Sequence, residues 1–364
     1  MALKCGIIGL TNTGKTTIFN CISNSKAEIT AFAFSTSKSN IGTANVQDIR
    51  LQELERCQKT QKLIPTTVEL VDIPGLAKGA SKGEGIGNQF LADLRNVDAI
   101  IHVLRCFDDP NLAHIEGSIN PVRDMELVDF ELQIKDLELV ERKLDRQQKL
   151  IKTGDKDAKR NVELLTKYRD HLENFQSVRS IDIDEDDKKV VKELQLLTEK
   201  PVMYVCNVDD KSALNGNKYS DAVIDSLNGQ NAKVLVIAGA LEAEISELEE
   251  EDQKVFLEDV GLTEPSVHKL TRAAYALLNL ETFFTVGPKE FRAWTIRVGS
   301  TAPKAAGVIH SDLERGFIRA EVMKYEDFIK YKTEVALKEA GKFHVEGKSY
   351  IVEDGDILNI RFNV

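Results

Sequence analysis

The sequence predicts an α/β fold built on a mostly parallel sheet, interrupted by a helical hairpin and followed by a small α+β unit. Three observations carry that expectation. Residues 9–16 read GLTNTGKT, a complete G-x-x-x-x-G-K-[ST] pattern set between an apolar run, Cys5-Gly6-Ile7-Ile8, and the helix-like TTIFNCIS. From 1 to about 110 and again from 200 to about 280, short β-branched runs alternate with helix-like segments, as buried parallel strands and their crossover helices do. Between them, residues 124–152 place Leu127, Phe130, Ile134, Leu137, Val140 and Leu144 three and four apart among dense charges, one stripe of a long amphipathic helix.

In chain order the loop at 9–16 comes first, and its chemistry follows from charge. Backbone N–H groups curling around Gly9 and Gly14, with the open end of the next helix, present partial positive charge to the phosphates of a nucleoside triphosphate. Asn12, Thr13, Gly14, Lys15, Thr16 and Thr17 are the expected contacts, with Lys15 reaching the β/γ-phosphates and Thr16 ligating Mg²⁺. The bland alternative, a glycine turn with a solvated lysine, fits the strand-then-helix context poorly. A second apolar run, Thr67-Val68-Glu69-Leu70-Val71, ends in Asp72-Ile73-Pro74-Gly75, the D-x-x-G pattern of switch GTPases. There Asp72 orients the water shell of Mg²⁺, and Gly75 lets a backbone N–H meet the γ-phosphate. Further on, Val202-Met203-Tyr204-Val205-Cys206 runs into Asn207-Val208-Asp209-Asp210, where such proteins read the base. Val234-Leu235-Val236-Ile237 then leads to Ala238-Gly239-Ala240, the place of the last base-contacting loop.

After GDKDAK at 154–159, Val162, Leu165, Tyr168, Leu172 and Phe175 repeat the helical spacing, so the middle of the chain reads as an antiparallel hairpin or coiled coil with GDKDAK at its tip. Packing between its two helices explains the stripe more simply than a partner groove does. The acidic run from Glu242 to Asp259 reads as a solvated helix face rather than a metal cluster. Beyond residue 281, strand-like Ala293–Val298 and Phe317–Val322 precede an amphipathic helix at about 326–340, and strand-like Tyr350–Val352 and Ile357–Phe362 follow. The expected domains are 1–120 and 201–280 for the two parts of the nucleotide domain, 121–200 for the hairpin and 281–364 for the closing unit.

Composition sets bounds. A chain of 364 residues with 42% hydrophobic residues has room for two or three domains with real cores. No apolar run approaches the ~20 residues of a membrane span. MALKCGIIGL flows straight into the first core strand, so removing it as a signal would destroy the phosphate loop; the expectation is a cytoplasmic protein. Its five cysteines (Cys5, Cys21, Cys57, Cys106, Cys206) are scattered and never at metal-ligand spacing, which points to reduced thiols. The net charge of −11 argues against wholesale wrapping of nucleic acid and leaves room for a local basic face on RNA.

Taken together, these residues resemble the Obg-like ATPase family of the YchF type. The likeness spans the chain: KCGIIGL, ASKGEGIGNQFL at 80–91, DAIIHVLRCF at 98–107, GDKDAK, RAWTIRVGSTAP at 292–303, Arg315–Glu321 and the closing DGDILNIRFNV. It implies a P-loop NTPase domain, an inserted coiled-coil hairpin and, at 281–364, a β-grasp module of the TGS type. It implies slow hydrolysis of ATP in preference to GTP, nucleotide-dependent switch loops, Mg²⁺ with K⁺ beside Asn12 as a second ion, and association with the ribosome, RNA or protein, through hairpin and TGS domain. The alternative is a nucleotide-bound scaffold, or a GTP-preferring switch, with incidental hydrolysis.

Three departures sharpen the expectation. Ras-like enzymes place a Gln after the Gly of D-x-x-G to orient water, but Leu76 stands here and neither donates nor accepts a hydrogen bond. By resemblance His114, in the polar loop Asp108-Asp109-Pro110-Asn111-Leu112-Ala113-His114, takes that task, whereas His102 in an apolar strand reads as a core residue. At the base, the Lys of N-K-x-D is Val208, which favours ATP, while Asp210 replaces the family's Glu and keeps a guanine-length carboxylate. The segment Ala31–Asn40 keeps Thr36 as a Mg²⁺ ligand but lacks the prolines and acid usual in the family.

Overall fold

The computed structural model describes residues 3–23, 39–75, 86–152, 156–230 and 232–363. Thr36 and Leu76 lie outside the described residues, as do 80–85 of the glycine-rich stretch and 154–155 of GDKDAK. The chain forms two units, 1–42 with 69–267 and 43–68 with 268–364.

The elements begin with β1 (Lys4–Ile8), α1 (Lys15–Ile22), β2 (Asn40–Asn45), α2 (Ile49–Cys57), β3 (Leu63–Ile64), β4 (Thr67–Asp72), α3 (Ile86–Arg95) and β5 (Ala99–Cys106). Then come α4 (Pro121–Ile151), α5 (Lys156–Glu173), α6 (Glu185–Lys192), β6 (Val202–Val208), α7 (Lys218–Ser226), β7 (Lys233–Ile237), α8 (Gly239–Glu247), α9 (Glu250–Asp259) and α10 (Ser266–Leu277). The last stretch holds β8 (Leu280–Val286), β9 (Phe291–Arg297), α11 (Ala302–Ile309), α12 (Ser311–Arg315), β10 (Phe317–Met323), α13 (Tyr325–Tyr331), α14 (Glu334–Glu339), β11 (Phe343–Glu346) and β12 (Ile357–Phe362).

The first sheet runs β2-β4-β1-β5-β6-β7, with β1 parallel to β4 and β5, β5 parallel to β6, and β6 parallel to β7. Every residue of β5, AIIHVLRC, is buried, the continuous apolar reading expected of a strand covered on both faces. His102 in its middle is 1% exposed and its pKa is pushed down to about 3, by burial first and by the charges of Lys15 and Arg179, so it stays neutral in the core. The carboxyl ends of β1, β4, β5, β6 and β7 lead into the loop at 9–14, Asp72, the His114 loop, Asn207 and Ala238 respectively. That is the edge where parallel sheets collect ligands.

The hairpin is α4 with α5. Asn120 caps α4 by accepting from the Arg123 N–H, and Pro121 sits in the first turn where its missing N–H is harmless. At 31 residues α4 extends about 46 Å at ~1.5 Å per residue. It serves two cores, which the single predicted stripe did not anticipate. Val128 and Leu132 pack with Ile100, Phe90 and Leu94 beside the sheet, whereas Val140 and Leu144 pack with Leu165, Tyr168 and Leu172 of α5. Phe130, assigned to the stripe, is 41% exposed, its ring 5.6 Å from that of Phe175. Between the cores lies Asp136, fully buried, its oxygens accepting from the N–H groups of Leu197 and Thr198 and from the Thr198 hydroxyl.

The second unit holds a mixed sheet, β11-β10-β12-β8-β9-β3. Within it β8–β9, β10–β12 and β10–β11 are antiparallel, and β12–β8 and β3–β9 parallel. Residues 43–68, read from sequence with the first 120, belong to this unit because Leu51 and Leu54 of α2 enter a core with Phe284, Phe291, Met323, Phe328 and Leu337. The helix expected at 326–340 is two. Lys332 takes a left-handed conformation (φ 63°) and Thr333 caps α14 by accepting from the Ala336 N–H. Tyr350–Val352 contributes one bridge, Ile351 to Thr301, rather than a strand.

Candidate nucleotide site

The loop between β1 and α1 has the conformation its glycines were expected to allow. Gly14 sits at φ 88°, and a Cβ there would run into Asn207 Nδ2. Among the described residues no side chain caps α1 at this end, which leaves the N–H groups of its first turn to an outside acceptor. Lys15 is 8% exposed, and its ammonium donates to the Leu10 carbonyl at 2.8 Å. Burial draws its pKa from 10.5 down to about 8, with Asp72 opposing the shift. Gly75 closes over the same spot, since a Cβ on it would lie 3.1 Å from Lys15 Nζ and 3.2 Å from the Thr11 N.

Thr16 Oγ1 donates to Asp72 Oδ2 at 2.9 Å. Asp72 is 5% exposed and, among the described residues, its other oxygen, Oδ1, is buried with no hydrogen bond. Burial pushes its pKa up, with Lys15 and Thr16 drawing it back. A hydroxyl and a carboxylate held together with one buried oxygen left over fit a hard divalent cation such as Mg²⁺. The other expected ligand, Thr36, lies outside the described residues.

On the base side the expected contact residues divide between buried and exposed positions. Asn207 is 4% exposed; Nδ2 donates to the Thr13 carbonyl at 2.9 Å and Oδ1 accepts from the Gly239 N–H at 2.9 Å. Its amide thus braces the phosphate loop against the start of α8. Thr13 likewise turns inward, its hydroxyl donating to the Leu10 carbonyl at 3.1 Å. Val208 and Ala238, at 2% and 1% exposure, are core side chains packed with Leu104, Cys106 and Ile245. Asp210 and Ala240 are exposed, Asp210 opening a short 3-10 turn after β6.

His114 is placed in a way the sequence did not suggest. Its side chain is 5% exposed, Nε2 lies 2.9 Å from Asp124 Oδ2, and Nδ1 accepts from the Glu116 N–H at 3.1 Å. An Nδ1 that accepts is unprotonated, so the proton sits on Nε2 and is donated to Asp124. Arg123 holds the other carboxylate oxygen through Nε (3.1 Å) and Nη2 (2.8 Å). The loop nevertheless touches the phosphate loop, because Asn12 Nδ2 donates to the Ala113 carbonyl at 3.0 Å. Asp124 was missed, although its place in the first turn of α4, ten residues after His114, is visible in sequence.

Comparison with known proteins places similar chains beside this one. Residues 280–363 match a YchF GTPase C-terminal model described as a protein of unknown function (DUF933), and residues 4–151 match a model described as a 50S ribosome-binding GTPase. The chain is similar to the proteins called ribosome-binding ATPase YchF from Pasteurella multocida, 48% identical over 364 residues, and Bacillus subtilis, 46% over 366, with both chains covered in full each time. Among solved structures, the Schizosaccharomyces pombe YchF GTPase matches with a TM-score of 0.87 at 34% identity, covering 99% of this chain and 97% of that one.

Proposed function

The chain belongs to the YchF family, and from that premise we propose that it is a slow Mg²⁺-dependent ATPase whose nucleotide state governs association with the ribosome. The observation that carries this reading is the cluster of Lys15, Thr16 and Asp72 with its leftover buried oxygen. Mg²⁺, held by Thr16 and across Asp72, would screen the β- and γ-phosphates. Lys15 supplies the fixed positive charge, and the uncapped start of α1 supplies neutral donors. Asn12 has its amide nitrogen engaged by Ala113, so its oxygen is what remains to face K⁺. Ribosome contact through the hairpin and the C-terminal module, and hence a cytoplasmic location, completes the proposal; no helix of the described residues is long and apolar enough to cross a membrane.

The relatives' names divide between ATPase and GTPase, so the base decides the first test. Val208, packed in the core, carries no lysine stem to lay over guanine. We expect calorimetric titration to show ATP binding more tightly than GTP, with Asp210→Glu widening the gap by removing the short carboxylate that suits the guanine edge. Tighter GTP binding by the unmodified protein overturns the ATP assignment. Single-turnover ATP hydrolysis with and without ribosomes separates the switch from a scaffold, since a scaffold hydrolyses at one rate in both.

Lys15 also predicts a pH effect. Its folded pKa of about 8 lies below its ordinary 10.5, so the charged form is penalised below pH 8 and stability gains from this group as pH rises from 8 to 10.5. Bound phosphates favour the ammonium and reverse the shift. ATP binding near pH 8.5 should therefore take up a proton, and affinity should fall as pH climbs past 8. Titration in two buffers of different ionisation heat measures the uptake; equal heats at pH 8.5 would refute it.

A further inference from the structure

Strand β5 ends on a buried cation that makes no direct carboxylate contact among the described residues. Arg105 is 1% exposed. Its Nε donates to the Phe107 carbonyl (3.2 Å), Nη1 to that of Leu112 (3.0 Å) and Nη2 to that of Asp109 (3.1 Å), while the guanidinium lies 4.8 Å from the centre of the Phe107 ring. Burial lowers its pKa, with Asp109, Asp108 and Asp124 pulling the other way through space. A planar fork with donors in fixed directions meets three divergent carbonyls at once; an ammonium, a point charge on a flexible stem, does not reproduce it.

What those carbonyls belong to gives the arrangement its meaning. The loop from 107 to 112 is wound around the guanidinium, and the next residue, Ala113, is the one tied to Asn12 of the phosphate loop. His114 follows immediately. On the far side Arg123 secures the Ser118 carbonyl and hydroxyl at 2.6 and 3.0 Å. The stretch carrying His114 is thus suspended between two arginine-held anchors, of which Arg105 is the one rooted in the sheet.

We infer that Arg105 is a positioning residue for hydrolysis: by winding 107–112 into one shape it sets the point from which His114 is presented to the phosphate loop. The inference rests on the reading that His114 acts on the attacking water. The simpler view, that Arg105 only stabilises the core, predicts effects that do not act through one histidine, and the test separates the two.

The test is a kinetic cycle on the full-length protein with ATP and Mg²⁺. Arg105→Lys should lower kcat by roughly tenfold to a hundredfold, the scale for displacing a reacting group by ~1 Å, and leave the calorimetric Kd for ATP within about twofold, as expected for an interaction made only in the transition state. Combined with His114→Ala, it should lower kcat no further than His114→Ala alone. Phe107→Leu removes the ring beneath the guanidinium without touching a polar group, and should give a smaller loss with the same non-additivity; it decides the matter if Arg105→Lys does not fold. Wild-type kcat in a folded Arg105→Lys, or losses that multiply with His114→Ala, would overturn the inference while leaving the role of His114 standing. An unchanged kcat in His114→Ala itself removes that role, and the inference with it.

Discussion

Lys15→Ala is expected to abolish measurable ATP turnover and to weaken triphosphate binding by about 3 to 5 kcal/mol, the scale for removing one partner of a buried charge pair. The expectation is large because Lys15 is almost wholly enclosed, with the D-x-x-G glycine close over its ammonium. A phosphate brought there meets a charge that water does not screen. The variant should nonetheless fold. Among the described residues the ammonium donates to one neutral carbonyl, and burial lowers its pKa with the charge of Asp72 opposing the shift. Removing it relieves that burial cost, and the thermal midpoint should hold or rise while ATP no longer raises it. ATP hydrolysis at the wild-type rate would remove Lys15 from the mechanism.

The legibility of the chain follows from where each signal is encoded. The phosphate loop, Asp72 and the parallel sheet were readable because they depend on local patterns: a glycine at positive φ, a carboxylate at a strand end, unbroken apolar runs. The hairpin was readable as two helices but not in its facing, because α4 changes partners along its length and a single stripe assumes one. Residues 43–68 were misplaced since nothing local in Leu51 or Leu54 says that their core lies more than two hundred residues onward, at Phe284 and Phe291. The base loop is legible only in outline: Val208, which ends β6, and Ala238, just after β7, both bury their side chains, and period-2 alternation alone does not fix which residue of Asn207-Val208 turns in; both do. Arg105 carries no such signal, because three backbone acceptors leave no trace in side-chain identity.

His114→Ala should lower kcat by roughly 10²-fold, the low end for losing general acid–base assistance, with ATP affinity nearly intact. The two effects separate because the groups that hold phosphate in the ground state, the loop at 9–14 and Lys15, take no hydrogen bond from the imidazole, which is bonded to Asp124 and Glu116. The same bonds explain why turnover should be slow: both ring nitrogens are engaged at rest, so work on a water requires the Asp124 pair to open first. Loss of the ring does not strand the carboxylate, since Arg123 keeps two donors on Asp124 Oδ1, and the loop remains tied at Ala113. A fall in kcat would then report chemistry rather than collapse, with the Kd for ATP as the internal control. If kcat instead stays within twofold, about 0.4 kcal/mol of barrier, His114 is a buried partner of Asp124 and nothing more, and the water must be oriented by a group beyond it.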